Sequence, residues 1–204
     1  MESDMMKKTR IYLVRHGEVA GSEVFRYNGQ SDVPLTPKGL DQFRMLSERL
    51  KDRPISACYT SDLSRCVQGA QIICATLGIS PVAKDELREL SFGDWEGMTW
   101  AELEEKFPEG WQARLKDMVN YRVPGGENLL DLSERVMPVI ADIIEKHGGE
   151  EVLVVGHGGI NRIILLNSIG APFTSMFRIE QDFGCLNIID WYADGNPVLK
   201  LLNG

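Results

Sequence analysis

Apolar and polar positions follow two different periods along this chain. Continuous aliphatic or β-branched runs at 10–14, 55–60 and 151–155 are bounded by polar residues or glycine, and predict buried strands. Between them the spacing turns helical. Leu40, Phe43, Leu46 and Leu50 share one face, with Thr36 placed as N-cap and Pro37 at the first helical position. A second helix is expected to open near Ser61-Asp62, to run through Leu63, Val67, Ala70, Cys74 and Leu77, and to stop at Gly78. Leu132, Val136, Val139 and Ile143 predict a helix over 129–146, bent at Pro138. Ile160 to Ile169 reads as a helix ended by Gly170, and the tail, 178–203, alternates like strands around an Asp194-Gly195-Asn196 turn.

The stretch 94–128 is different in kind. It holds Trp95, Trp100 and Trp111, a capping box at Thr99-Glu102, a helix ended by Pro108 and a closing Pro124-Gly125-Gly126 turn. No tandem repeat or low-complexity segment is visible. Strand–helix alternation of this kind predicts an α/β fold, a mainly parallel sheet covered by helices on both faces. The expectation is a single domain, 1–204, with about 94–128 as a cap-like insertion.

Charge narrows the partners. The net charge is −8, and no basic block exceeds Lys7-Lys8-Thr9-Arg10, which argues against nucleic acid. Any attraction for an anion must therefore be local. The start, Met1-Glu2-Ser3-Asp4, is acidic where a signal peptide is cationic, and no run reaches the length of a membrane span. Cys58, Cys66, Cys74 and Cys185 lack zinc or redox spacing and read as small buried residues. A reduced, cytoplasmic protein is expected.

Two of the three histidines stand where an apolar run meets glycine: Arg15-His16-Gly17-Glu18 and Gly156-His157-Gly158-Gly159. Arginine offers a planar fork for phosphate, and histidine can attack or shuttle a proton. The first tetrapeptide alone is read equally well as an exposed arginine beside a loop-bonded histidine. Arg65, in the first turn of a helix, calls for a nearby anion, because a cation there opposes the helix dipole. Glu89, within Leu87-Arg88-Glu89-Leu90-Ser91-Phe92-Gly93, adds a carboxylate among apolar neighbours. Two arginines, two histidines and a carboxylate on one sheet edge suit phosphoryl transfer.

Taken in order, these strings resemble the histidine phosphatase superfamily, with its phosphoglycerate-mutase-like fold. Pro34-Leu35-Thr36 with Gly39, Ser61-Asp62-Leu63 with Arg65, Phe92-Gly93-x-Trp95-Glu96-Gly97 and Gly125-Gly126-Glu127 extend the match. The resemblance implies a three-layer α/β/α sandwich with a helical cap segment, and no metal or organic cofactor. It implies His16 as the nucleophile, Arg15, Arg65 and His157 as phosphoryl ligands, and Glu89 as proton donor and then base. Ser22, Asn28, Gly29 and Gly158 are candidate substrate contacts, although Asn28 and Gly29 read equally well as an ordinary turn. Glu18 and His147 are read as structural, and the tryptophans mainly as packing. Surrounding cations should keep His16 neutral, whereas Glu89 is pulled both ways, by the arginines and by its apolar neighbours with the bound phosphate.

The expected partner is a small phosphorylated metabolite, with a homodimer allowed for. Mutases of this type carry arginine after the catalytic glutamate and an Arg-Arg pair beyond. Here Leu90 follows Glu89, Phe92 replaces a tyrosine, and no Arg-Arg dipeptide occurs, which favours hydrolysis. Within the phosphatases, Tyr27-Asn28-Gly29-Gln30 and Phe177-Arg178-Ile179-Glu180-Gln181 are similar to the α-ribazole-phosphate phosphatase branch. The alternatives are a phosphoglycerate mutase and a broad sugar-phosphate phosphatase, and a binding protein on this scaffold is the non-enzymatic reading. Val19 stands where many members carry threonine.

Overall fold

The structure is a computed structural model that describes residues 7–204. Its centre is a six-stranded sheet in the order β3-β2-β4-β1-β5-β6. The strands are β1 (Lys8–Arg15), β2 (Ile55–Ser61), β3 (Pro81–Lys84), β4 (Glu151–Gly156), β5 (Leu186–Tyr192) and β6 (Pro197–Leu201). The first four are mutually parallel, and β5 and β6 add an antiparallel edge.

Helices α1 (Pro37–Leu50) and α2 (Ser64–Leu77) cover one face, and α5 (Leu129–Lys146) and α6 (Gly158–Ser168) cover the other. The two-residue period of the strands makes these layers. Ile11, Leu13, Val152 and Val154 pack toward α5 and α6, while Tyr12, Val14, Leu153 and Val155 pack toward α1 and α2. Burial on both faces is why these strands read as unbroken apolar runs. The cap has its own small core of Trp95, Leu103, Trp111 and Val123, built around α3 (Trp100–Lys106) and α4 (Pro108–Lys116). Trp100 instead stays largely exposed.

Thr36 caps α1 by accepting from the Gly39 N–H at 3.0 Å, and the Thr99–Glu102 capping box forms as expected. Several boundaries move. Helix α2 begins at Ser64, because β2 runs on through Ser61 to pair with Lys84 in β3, a short strand without a clear sequence signal. Pro108 opens α4 as well as ending α3. Helix α6 starts at Gly158, and α5 is continuous across Pro138. Residues 178–185 are not strand: a 3-10 turn runs to Arg178 and β5 opens only at Leu186. No helix among the described residues is long and apolar enough to cross a membrane.

Candidate active site

Strand order converts the scattered motifs into one row. Arg15 and Gly156 are register partners on adjacent parallel strands, so His16 and His157 leave the sheet side by side. The His16 N–H donates to the Gly156 carbonyl at 2.9 Å, and the two imidazole centroids lie 5.1 Å apart. Strand β2, on the other flank of β4, delivers Arg65 at the second residue of α2, and the segment after β3 brings Glu89. Ligand sites of parallel α/β sheets lie at this carboxyl edge.

His16 is buried, and its Nδ1 meets the Gly17 carbonyl at 2.8 Å. A carbonyl only accepts, so the ring proton resides on Nδ1 and the Nε2 lone pair is free. Burial, and then the charges of Arg15 and Arg65, push the His16 pKa well below the usual histidine value, so the ring is neutral near neutral pH. His157 is fully buried and shifted the same way, by burial first and then by His16 and the two arginines. Its Nδ1 accepts from Arg65 Nε at 3.3 Å, which leaves Nε2–H as a donor. Cys66 packs its thiol 3.4 Å from that nitrogen, and burial pushes this thiol far up, out of the reactive range.

Arg65 is held from three sides. Besides His157, it donates 2.7 Å bonds to the Gly29 and Ser31 carbonyls. Gly29 thus contributes its carbonyl to orienting Arg65. Its φ of +51° and the Glu96 carboxylate, 2.4 Å from where a Cβ would stand, both require glycine. Arg15 is anchored through Gln181 O and lies 4.1 Å from the Phe183 ring centroid. Its buried Nε has no partner. An unsatisfied buried guanidinium N–H beside a free imidazole nitrogen is a ready oxyanion ligand.

Glu89 accepts from the Leu90 N–H and from the Gly159 N–H in the first turn of α6, both at 2.9 Å. A Cβ on Gly159 would stand 2.3 Å from Glu89 Oε1, so the His-Gly-Gly string leaves room for this carboxylate. A Cβ on Gly158 would lie 3.2 Å from Arg162 Nη1 and 3.3 Å from Arg15 Nε. The sequence reading missed Arg162, although its place four residues after Gly158 on α6 signals the same end of that helix. It also missed Phe183, which lies in an irregular segment with no periodic signal.

Arg135 was missed as well. It pairs bidentately with Glu127 at 2.7 Å and donates to the carbonyls of Glu86, Arg88 and Glu89. Ser22 sits in a turn closed by its N–H to Val19 O, and the Asn28 N–H donates to Arg26 O while its carbonyl accepts from the Ser31 N–H. Glu18 binds Thr36 and Lys38, and His147 binds Tyr59 and Glu150, which are structural roles. No cluster of three metal-ligating side chains occurs among the described residues.

A parallel sheet whose carboxyl edge gathers a neutral imidazole, two guanidiniums, a second imidazole and a carboxylate defines an α/β protein built to hold an oxyanion. The chain belongs to the histidine phosphatase superfamily (branch 1), whose profile matches residues 11–204. It is similar to the α-ribazole phosphatase of Shigella flexneri, at 30% identity and a TM-score of 0.88, over 96% of each chain. A metal-independent phosphoserine phosphatase of Arabidopsis thaliana is 38% identical over 162 residues, 78% of this chain and 68% of that protein. A bifunctional protein of Mycobacterium tuberculosis is 34% identical over 196 residues, 96% of this chain. The chain spans only 54% of that relative's length.

Proposed function

We propose that the protein hydrolyses a small phosphomonoester through a phosphohistidine on His16. The observation that carries this reading is the neutral His16 ring, its proton on Nδ1 and its Nε2 lone pair free, beside Arg15, Arg65 and His157. The Nε2 lone pair attacks phosphorus, the P–O ester bond breaks, and its electrons pass to the leaving oxygen. Glu89, entering as the carboxylic acid, protonates that oxygen. A water then attacks the phosphohistidine while the Glu89 carboxylate takes its proton. The P–N bond breaks with its electrons returning to Nε2, and inorganic phosphate leaves. Arg15, Arg65 and the His157 Nε2–H neutralise the phosphoryl oxygens in both steps.

Hydrolysis is favoured over mutase transfer by Leu90 after Glu89 and by the missing Arg-Arg pair. The cap-like segment 94–128 shapes the leaving-group side in this reading. Candidate substrates are α-ribazole 5′-phosphate, supported by the Shigella flexneri relative, sugar phosphates and 3-phosphoglycerate. Four unpaired, buried cysteines support a reducing, cytoplasmic setting. The test is release of phosphate from p-nitrophenyl phosphate and from these three classes by the wild type and His16→Ala. The wild type is expected to turn over and to become labelled by phosphate in an acid-labile form, and His16→Ala to do neither. Labelling that survives in His16→Ala overturns the assignment.

A further inference from the structure

The proposed chemistry takes no side chain from the string Phe92-Gly93-x-Trp95-Glu96-Gly97, yet its glutamate is fully engaged. Glu96 Oε1 accepts from the backbone N–H of Gln30 at 2.9 Å and of Phe92 at 3.3 Å, and Oε2 accepts from the Ser31 hydroxyl at 2.7 Å. All three donors are neutral groups, and they come from two separate segments of the chain.

One segment is the turn that aims Arg65. Its Gly29 and Ser31 carbonyls receive the guanidinium, and Asp32 Oδ1 accepts from the Ser64 N–H and hydroxyl at 2.9 and 2.8 Å, one residue before Arg65. The other segment carries Glu89, three residues before Phe92, and Gln30 Nε2 donates to the Glu89 carbonyl at 3.2 Å. Backbone bonds tie Tyr27 to Gly97 and Met98. Among the described residues, however, 29–31 are hydrogen-bonded to 89–96 only through the Glu96 carboxylate and the Gln30 side chain.

An irregular turn has no ladder to fix its carbonyls, so a guanidinium aimed by them is only as fixed as the turn. A carboxylate accepting from backbone N–H groups is one of the stronger ways to fix it. We propose that Glu96 is a positioning residue that locks the turn aiming Arg65 to the segment carrying Glu89, so that the phosphoryl clamp and the proton donor keep one separation. This rests on the phosphomonoesterase reading above.

The experiment is a double-mutant cycle. Steady-state kcat and KM on p-nitrophenyl phosphate are measured for Glu96→Ala, Glu96→Gln and Ser31→Ala, each alone and combined with Arg65→Lys. Glu96→Ala is expected to lower kcat/KM by about 30-fold when Arg65 is intact and by less than about 3-fold in the Arg65→Lys background, where no guanidinium is left to misplace. Glu96→Gln is expected to return to within about 3-fold of wild type. Its amide oxygen accepts the N–H bonds, and the Ser31 hydroxyl turns to accept from its NH2.

Unchanged activity, equal losses in both backgrounds, or a Glu96→Gln protein as slow as Glu96→Ala overturns the proposal. If Glu96→Ala does not fold, Ser31→Ala decides, because it removes a single bond. A loss of about 3–5-fold confined to the intact Arg65 background supports the proposal, and any other result overturns it. If the wild type does not hydrolyse the aryl phosphate, the parent reading has failed instead, and calorimetric titration with inorganic phosphate decides this one. Binding weakened about 10-fold by Glu96→Ala, or about 3-fold by Ser31→Ala should Glu96→Ala not fold, and in either case only with Arg65 intact, supports it. Equal affinities, or no binding by the wild type, overturn it.

Discussion

A histidine in a loop is unremarkable until its hydrogen bonds are known. The Arg15-His16-Gly17 string showed where a nucleophile could stand, but its tautomer depends on the Gly17 carbonyl folding back to Nδ1, a local geometry with no sequence pattern. The same holds for Arg65. Its residue type and helix position were legible, while the Gly29 and Ser31 carbonyls that orient it come from a loop more than thirty residues upstream. Only the neutral ring has a lone pair, so kcat/KM falls as pH drops through the depressed pKa of His16. A pH–rate profile should place the acidic limb well below pH 6.5, and a limb at or above 6.5 would contradict the buried, cation-flanked ring. Arg65→Lys keeps the charge but loses the planar fork that satisfies two carbonyls and His157 together. It should lower kcat/KM by ~10²–10³-fold in steady-state assays, with a near-wild-type rate counting against this geometry.

Elements carry a different share of the information. The strands at 10–14, 55–60 and 151–155 were legible because burial on both faces leaves mostly apolar residues. Strand β3 was not, since Pro81–Lys84 lies at the sheet edge with Val82 and Ala83 both exposed, and borrows its order from pairing with β2. Helix α5 was predicted from its apolar stripe, and that reading ignored Arg135, which faces the Glu89 segment instead of solvent. Its guanidinium joins the carbonyls of Glu86, Arg88 and Glu89 to Glu127, so it acts as a positioning residue for the proposed proton donor. Arg135→Met leaves Glu127 and those carbonyls short of donors and is expected to cost about 1–3 kcal/mol in denaturant unfolding. Because substrate binding does not pass through this clamp, kcat should fall ~10-fold with KM within about two-fold, and Arg135→Lys should restore part of kcat. A change confined to stability would reduce Arg135 to a fold residue.

At the scale of the molecule, charge and burial oppose one another. The chain has a net charge of −8, yet two neutral imidazoles and the arginines beside them are enclosed at the centre of one sheet edge. The overall balance excluded general attraction for anions and hid this local field, which exists only once the order β3-β2-β4-β1 brings distant segments together. Assembly of such a site carries a stability consequence. Burial and neighbouring cations depress the pKa values of His16 and His157 in the folded protein, whereas both titrate near 6.5 in the unfolded chain. Below pH 6.5 the unfolded state therefore binds protons that the folded state refuses. The stability these groups contribute is complete above pH 6.5 and is lost progressively as pH falls toward their folded values. Each ring adds a slope of up to about 1.4 kcal/mol per pH unit across that window. Asp190 acts lower on the scale: Arg10 and Lys8 outweigh its burial and hold its pKa below the usual carboxylate value, so its loss begins only near pH 4. Denaturant titrations from pH 7.5 to 5 should thus show wild-type stability level down to about pH 6.5 and falling below it, and a His16→Asn, His157→Asn double variant, which lacks these two rings, should show a much flatter profile. Parallel slopes for the two proteins would mean that the imidazoles accept protons without cost, and that the enclosed cationic pocket does not exist in solution.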